Sequence, residues 1–362
     1  MSKKLLILLP LCLALFAAVW GFAAGDASDP LASLSYLKGT FSDAVDSRVE
    51  EKLNASDAAL LSGTDTGTAV PSGAGFVWAE DRLKQGDVLY GTTGVTVMLL
   101  AGQGTVTYPS GAVVDATDGK AVPSGAALQA NHRYIVAEDT TAGFTVTSKT
   151  AVVDHEGGTF TYSAETDYNA MAAALKAMHL FKGSFTGYGQ GFDLEVAPTR
   201  LQALIMFIRV LGEEEQALAW TGTTPFTDIQ KGSQAEKYVG YAYSMGYTNG
   251  YSATQFKPAG AVNAWQYTEF VLRAMGYSSV ANTNLSDTLT RAQTAGVLTA
   301  GEAEMLQRDK FLRAELVYVS YYALDAWLPD GSRTLGDLLQ EKGVFTSWER
   351  EEARSMVTGW RL

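Results

Sequence analysis

Apolar and polar positions along the chain change their period twice. From Asp29 to about Leu61, Phe41, Val45, Val49 and Leu53 recur every four residues among Asp43, Asp46, Arg48, Glu50, Glu51 and Lys52. That spacing predicts a helix with one narrow apolar stripe, a stem that docks lightly or pairs with another helix. A solvated surface helix is the plainer alternative. "SGTDTGTAVPSGAG", residues 62–75, then breaks any helix through Gly, Thr and Pro.

Beyond it the period shortens. "FVWAE", "DVLYG", "VTVMLLAG", "GTVTYP", "AVVDA", "HRYIVAED", "GFTVTSKTAVVD" and "GTFTYS" are short runs of Val, Thr, Tyr and Phe, parted by Gly, Asp, Ser and Pro. Runs of this length predict an antiparallel sandwich or a small barrel.

From Ala164 the text is helical, and it repeats. "KAMHLFKG" (176–183), "YSMGYTNG" (243–250) and "QTAGVLTA" (293–300) each end an apolar helix through small residues. The segments after these helix ends align without gaps as "FDLEVAPTRLQALIMFIRVLG" from Phe192, "FKPAGAVNAWQYTEFVLRAMG" from Phe256 and "MLQRDKFLRAELVYVSYYALD" from Met305. Arg200, Ala264 and Arg313 fall at one position, and Gly212, Gly276 and Asp325 at another. Leu201, Leu204, Ile205, Phe207, Ile208 and Leu211 leave the second helix of the first block almost no polar face, so it is expected to be buried on most sides.

The first residues, "MSKKLLILLPLCLALFAAVWGFAAGDASD", have the lysines, apolar run and small residues of a secretory signal, with cleavage expected after Gly25 or Ala27. The run from Leu5 to Ala24 is long enough that an uncleaved anchor is the second reading. Both put the rest of the chain outside the cytoplasm. Cys12, the single cysteine, lies inside that run after Leu11, so neither disulfides, a catalytic thiol nor a lipid anchor is expected in the mature chain. A net charge of −12 excludes a general nucleic-acid binder. Any anionic partner has to be held locally, against the overall field.

The repeats resemble the S-layer homology family. Its motif opens on Phe-x-Asp, passes through a helix and a Gly-containing loop ending in Phe-x-Pro, and enters a second helix at Thr-Arg-Ala-Glu. The second repeat carries Phe226, Asp228, Gly246, Gly250, Phe256 and Pro258; the first and third match the second helix, as "PTRLQALIMFIRVLG" and "LRAELVYVSYYAL". The first lacks the Phe-x-Asp opening, and the third has only "LSD" (285–287) and a shortened first helix. The resemblance covers roughly residues 165–325 and omits the β domain. It implies a trefoil of three motifs whose grooves bind an anionic secondary cell wall polysaccharide. It also implies Arg200 and Arg313 as ligands of that polymer, with Thr199, Asn263, Gly183 and Gly250 beside them, while Ala264 leaves the remaining groove without its Arg.

The residues add their own reasons. Thr199 with Gln202 and Asn263 with Gln266 have capping-box spacing, so helices start there. Arg200 then sits in a first turn, where the helix dipole disfavours an exposed cation by about 0.3 to 1 kcal/mol. A bound anion reverses that sign if free N–H groups, dipole and guanidinium converge on it. Arg is also a good helix former, so a purely structural placement remains open for Arg200 and more so for Arg313, which comes after Leu312 instead of a cap. Tyr238, Tyr241 and Tyr243 read as core residues with hydroxyls at the rim before they read as sugar-stacking rings.

Catalytic chemistry is sparse. His132, His155 and His179 lack paired zinc spacing, and Asp154, His155 and Glu156 would alternate sides on a strand, or lie in a strand-end turn. The chain therefore divides into a signal peptide (1–25), a helical stem (26–62), an all-β sandwich or barrel (63–163), helical repeats (164–222, 223–282 and 283–345) and a closing helix (346–362). The expected whole is a multidomain, non-catalytic protein of the bacterial cell wall or S-layer surface, needing no cofactor or metal. Its β domain is left to meet other surface proteins as an adhesin or assembly surface. A secreted glycan hydrolase with a carboxylate site in the β domain is the alternative.

Overall fold

The computed structural model describes residues 78–183, 191–279, 281, 284–359 and 361–362, all within the unit Phe76–Leu362. The expected signal peptide and helical stem lie outside the described residues.

Ten strands come first among the described residues: β1 (Ala79–Lys84), β2 (Val88–Gly91), β3 (Thr96–Ala101), β4 (Gly104–Thr107), β5 (Val113–Asp115), β6 (Lys120–Val122), β7 (Arg133–Val136), β8 (Ala142–Val146), β9 (Thr150–Glu156) and β10 (Thr159–Thr161). They form two antiparallel sheets, ordered β1-β9-β3-β7-β5-β6 and β10-β2-β8-β4. Pairing is nested, β1 with β9, β2 with β8 and β3 with β7, so the chain folds back on itself as one long rolled hairpin. Leu83, Leu89, Val97, Leu99, Phe144 and Val153 fill the space between the sheets. About 10 Å³ stays empty there, no more than one water needs. The architecture is sandwich-like.

Two strands depart from the sequence reading. The first run begins later than expected and continues through Asp81 and Arg82, while β6 was not anticipated at all. Both are edge strands, where charged side chains reach water and the alternating pattern fades. The long run from Gly143 to Asp154 splits at Thr147–Lys149, sending β8 and β9 to different sheets.

The helices after the sandwich are α1 (Tyr168–Ala177), α2 (Arg200–Val210), α3 (Glu214–Ala219), α4 (Gln234–Ser244), α5 (Ala264–Ala274), α6 (Thr288–Thr294), α7 (Ala300–Arg308), α8 (Arg313–Ala323), α9 (Leu335–Glu341) and α10 (Ser347–Met356). No described helix is long and apolar enough to cross a membrane. The aligned blocks recur in backbone geometry. α2, α5 and α8 each run for 11 residues and start at the aligned positions Arg200, Ala264 and Arg313. The preceding helices α1, α4 and α6 each turn out through a left-handed residue, His179 (φ 63°), Gly246 (φ 74°) and Gly296 (φ 70°). Asp193 (φ 52°) and Lys257 (φ 57°) match in the same way.

The third block departs from this pattern. Met305, aligned with Phe192 and Phe256, lies inside α7 rather than in an extended loop.

Backbone bonds join one block to the next. Arg200 N donates to Gly260 O (2.7 Å) and Leu201 N to Pro258 O (3.1 Å), while Arg313 N donates to Val196 O (3.0 Å) and Ala314 N to Leu194 O (3.1 Å). α2, α5 and α8 pack against one another in a single helical core that includes Leu204, Phe207, Tyr267, Val271, Leu316 and Val319. The closing helix appears as α10 and packs on α1. Lys149, between β8 and β9, ties the sandwich to the helices through Asp309 (2.6 Å) and Glu315 (2.5 Å).

His179 holds a conformation that L-residues adopt at a cost of about 1 kcal/mol or more and glycine adopts freely. Its exposed pair with Glu349 offsets little of this. His179→Gly should therefore raise, and Gly246→Ala lower, the free energy of unfolding by about 1 kcal/mol each, measured by urea denaturation.

Candidate functional site

The larger of two arginine-lined grooves grows from the Phe-x-Asp element. Asp228 accepts hydrogen bonds from Phe256 N (2.9 Å) and Lys257 N (2.7 Å), which fixes the end of the loop 250–258. Burial opposes this carboxylate's charge, and the two backbone donors outweigh burial, so its pKa is lowered. Phe226, two residues earlier, packs against Phe256 (5.9 Å) and Tyr243 (5.5 Å between centroids). Gly250 (φ 79°) lies directly on the Phe226 ring, and a Cβ there would collide with it. The turn thereby aims the Gly250 carbonyl at Arg200, whose Nη2 donates to it (3.2 Å).

Arg200 is only 8% exposed, yet no described carboxylate forms an ion pair with it. Its Nε has no hydrogen-bond partner, and its guanidinium lies over the rings of Phe256 (5.1 Å) and Phe270 (5.7 Å). Burial, and then the like charge of Arg273, lower its pKa from the ordinary value. It borders a cavity of about 600 Å³, with Asn249, Tyr251, Gln266, Glu269 and Arg273 among the other walls. That volume is within the roughly 300 to 1,000 Å³ usual for small-molecule sites. Glu269 faces the same cavity but is committed elsewhere, to Arg273 (3.1 Å) and Arg291 (2.6 Å).

A second, smaller cavity of about 150 Å³ adjoins Arg313, Lys182, Gly183, Gln202 and Arg209. Arg313 is 9% exposed and its Nε is also unpartnered. Burial lowers its pKa, with Asp193 opposing. Lys182 and Arg209 are both paired with Glu214.

The six expected site residues therefore separate. Arg200 and Gly250 meet in the large cavity, and Arg313 and Gly183 in the small one. Thr199 and Asn263 line neither; their side chains cap α2 and α5 by accepting from Gln202 N (3.2 Å) and Gln266 N (3.0 Å). Both expected capping boxes are present. The leading N–H groups at these helix starts are, however, already engaged. The first two N–H groups of α2 and of α8 bond to the neighbouring block, so any anion there meets the guanidinium and not the helix terminus.

Tyr238 and Tyr241 are buried with hydroxyls donating to Glu214 (2.7 Å) and Glu213 (3.0 Å). Tyr243 differs: it is 44% exposed and lines the large cavity beside Tyr251, 60% exposed. Arg273, Asn249 and Tyr251 were missed, although Arg273 and Arg209 occupy aligned positions in their blocks.

In the β sandwich the titratable clusters serve local structure. Asp115 accepts from Thr117 N, Asp118 N and the His132 ring. His155, on β9 and not in a turn, bridges Gly157 O (2.7 Å) and Asp81 (2.8 Å).

Residues 225–263 match the family model of the S-layer homology domain. The match begins at the Phe226 element, spans the loop held by Asp228 and ends at Asn263, the cap of α5. S-layer homology domains bind cell-wall polymers and point to a cell-surface location. No curated protein matches the chain. Among solved structures, procruciferin, an 11S globulin from Brassica napus, matches at 11% identity over 24% of this chain and 22% of that one, with a TM-score of 0.17. A likeness that low carries no conclusion about fold or function.

Stability should respond in two ways. Replacing an uncompensated buried cation by an apolar chain of similar length removes desolvation cost and breaks no ion pair, so Arg200→Met should leave the unfolding free energy unchanged or raised by about 1 kcal/mol, read from denaturant unfolding. Glu214 behaves oppositely: burial raises its pKa, but Lys182, Tyr238 and Arg209 outweigh burial and hold it at about 2, against an ordinary 4.5. Its stabilisation is full above pH 4.5 and is lost as pH falls towards 2. Glu214→Gln should flatten that part of the acid-unfolding curve.

Proposed function

We propose that this chain is a non-catalytic surface protein attached to the bacterial cell wall, and that its helical repeats form an S-layer homology trefoil gripping an anionic secondary cell wall polysaccharide. The observation that carries this reading is Arg200. It is a buried guanidinium with no described ion-pair partner, one carbonyl contact and an open cavity beside it. Desolvating a charge in this way is unfavourable unless something of opposite sign completes the site. An acidic substituent on a sugar does so through charge-assisted hydrogen bonds. Tyr243 and Tyr251 offer exposed rings on which the rest of the sugar stacks.

The match of residues 225–263 to a domain family that binds cell-wall polymers supports the same direction. A formal charge of −12 makes the choice of an anion informative, because attraction has to come from the groove itself. The Arg313 cavity, a quarter of the size, contributes a subsidiary contact. Within the β sandwich, a depression of about 290 Å³ is lined by Tyr90, Thr107, Tyr108, Ser124 and Thr141, among others, and by no carboxylate. That depression therefore gives the hydrolase alternative no carboxylate to work with.

The chain should be retained on wall sacculi and released when their secondary polymer is extracted beforehand. Arg200→Met should weaken retention roughly tenfold to a hundredfold, the loss expected for charged hydrogen bonds. Equal retention on intact and extracted sacculi would overturn the proposal.

A further inference from the structure

The two cavities share one template. Arg200 at the start of α2 faces Gln266, Glu269, Phe270 and Arg273 of α5 and the turn at Asn249–Gly250. Arg313 at the start of α8 faces Gln202, Ile205, Met206 and Arg209 of α2 and the turn at Lys182–Gly183. Continuing the aligned positions once more sets Ala264 against Glu315, Tyr318, Val319 and Tyr322 of α8 and the turn at Thr299–Ala300. This third place is occupied by the chain's own residues 361–362.

Every contact of that segment falls on these walls or next to them. Arg361 Nε donates to Glu302 Oε1 (2.7 Å), and its Nη2 donates to Glu302 Oε2 (3.0 Å) and Val297 O (3.0 Å). The guanidinium lies 5.0 Å over the Tyr322 ring. Leu362 N donates to the Tyr318 hydroxyl (3.0 Å), and Thr299 Oγ1 donates to Leu362 O (2.6 Å). Tyr322 stands where the other grooves carry Arg209 and Arg273, and Ala264 stands where they carry Arg313 and Arg200. In place of those cations is Glu302, a carboxylate with 0% exposure. The chemistry of the groove is inverted, from anion-seeking to cation-seeking.

We infer that the third groove is a receptor for an arginine-bearing peptide segment, filled in this molecule by residues 361–362, and that this filling closes it to anionic wall polymer. The closing clause rests on the proposed function; the peptide site does not. The Glu315 carboxylate is held by Leu312 N (2.7 Å) and Lys149 (2.5 Å), so it leaves Arg361 to Glu302 alone.

The test uses the full chain carrying Arg361→Ala and the pentapeptide Thr-Gly-Trp-Arg-Leu as probe, by isothermal titration calorimetry. The variant should bind the peptide at least about tenfold more tightly than the unsubstituted chain, whose groove is already occupied. A peptide with Ala for Arg should bind about tenfold more weakly or not at all. No uptake by a variant that keeps the native circular dichroism, or equal uptake by both chains, overturns the inference. Should Arg361→Ala fail to fold, Arg361→Lys serves in its place, because it keeps the charge and loses the bidentate fork to Glu302. Polymer retention is not read in this experiment, so a failed peptide site and a failed wall-binding reading are told apart.

Discussion

The amino ends of α2 and α8 have already committed their leading N–H groups before any ligand arrives. Arg200, Leu201, Arg313 and Ala314 donate to carbonyls of the neighbouring block, and this backbone pairing joins consecutive blocks with their long helices packed on a shared core. It also fixes which way the first side chain of each helix points. Since Arg200 N and Arg313 N are anchored, their side chains project over the Phe-rich turn of the next block, into the cavity it encloses. The site thus derives from how the repeats are joined, and the joint itself removes the helix terminus as an anion receptor.

What remains is a locally frustrated charge. In a protein of net charge −12, Arg200 has a like-charged neighbour and no described carboxylate paired to it. The nearest available acid, Glu269, is 1% exposed and divided among Arg273, Arg291, Ser278 and Thr288. Moving toward Arg200 would strand those donors in a buried setting, a cost that exceeds the gain of one new pair. The scaffold accordingly holds its own acids away from the guanidinium. On the proposed function, the missing complement is the anion of the polymer.

The sequence made the period visible and left the exceptions hidden. Gap-free alignment of the three blocks located the starts of all three long helices to the residue, because the capping pairs at Thr199 and Asn263 and the apolar 3.6-residue pattern agree there. That agreement does not extend to Met305, which is in register with Phe192 and Phe256 but lies in a helix that starts at the Thr299–Glu302 capping box just upstream. Edge strand β1 was misplaced by a few residues because Glu80, Asp81 and Arg82 blur its alternation, and β6, only three residues long, was missed. For the site, Arg200 and Gly250 were legible through an unusual residue type at a special position. Arg273 was not, since an Arg near a helix end is what the dipole favours anyway. Tyr243 could not be separated from Tyr238 and Tyr241 by spacing, and only the Phe226 ring beneath it decides that it stays at the surface.

The third block differs from the other two at one wall position. At the aligned position of Gln202 and Gln266 the third block has Glu315, whose carboxylate both caps Leu312 and receives Lys149 from the β sandwich. A neutral glutamine could cap but not attract that lysine. The third block is thereby the point where sandwich and helices are tied, with Asp309 as the second acceptor for the same lysine. Ala264 at the arginine position, Tyr322 at the position of Arg209 and Arg273, and Arg361 seated on Glu302 accompany Glu315 in the same block and the groove beside it. The grooves that retain arginine are the two whose walls carry neutral glutamine at this position.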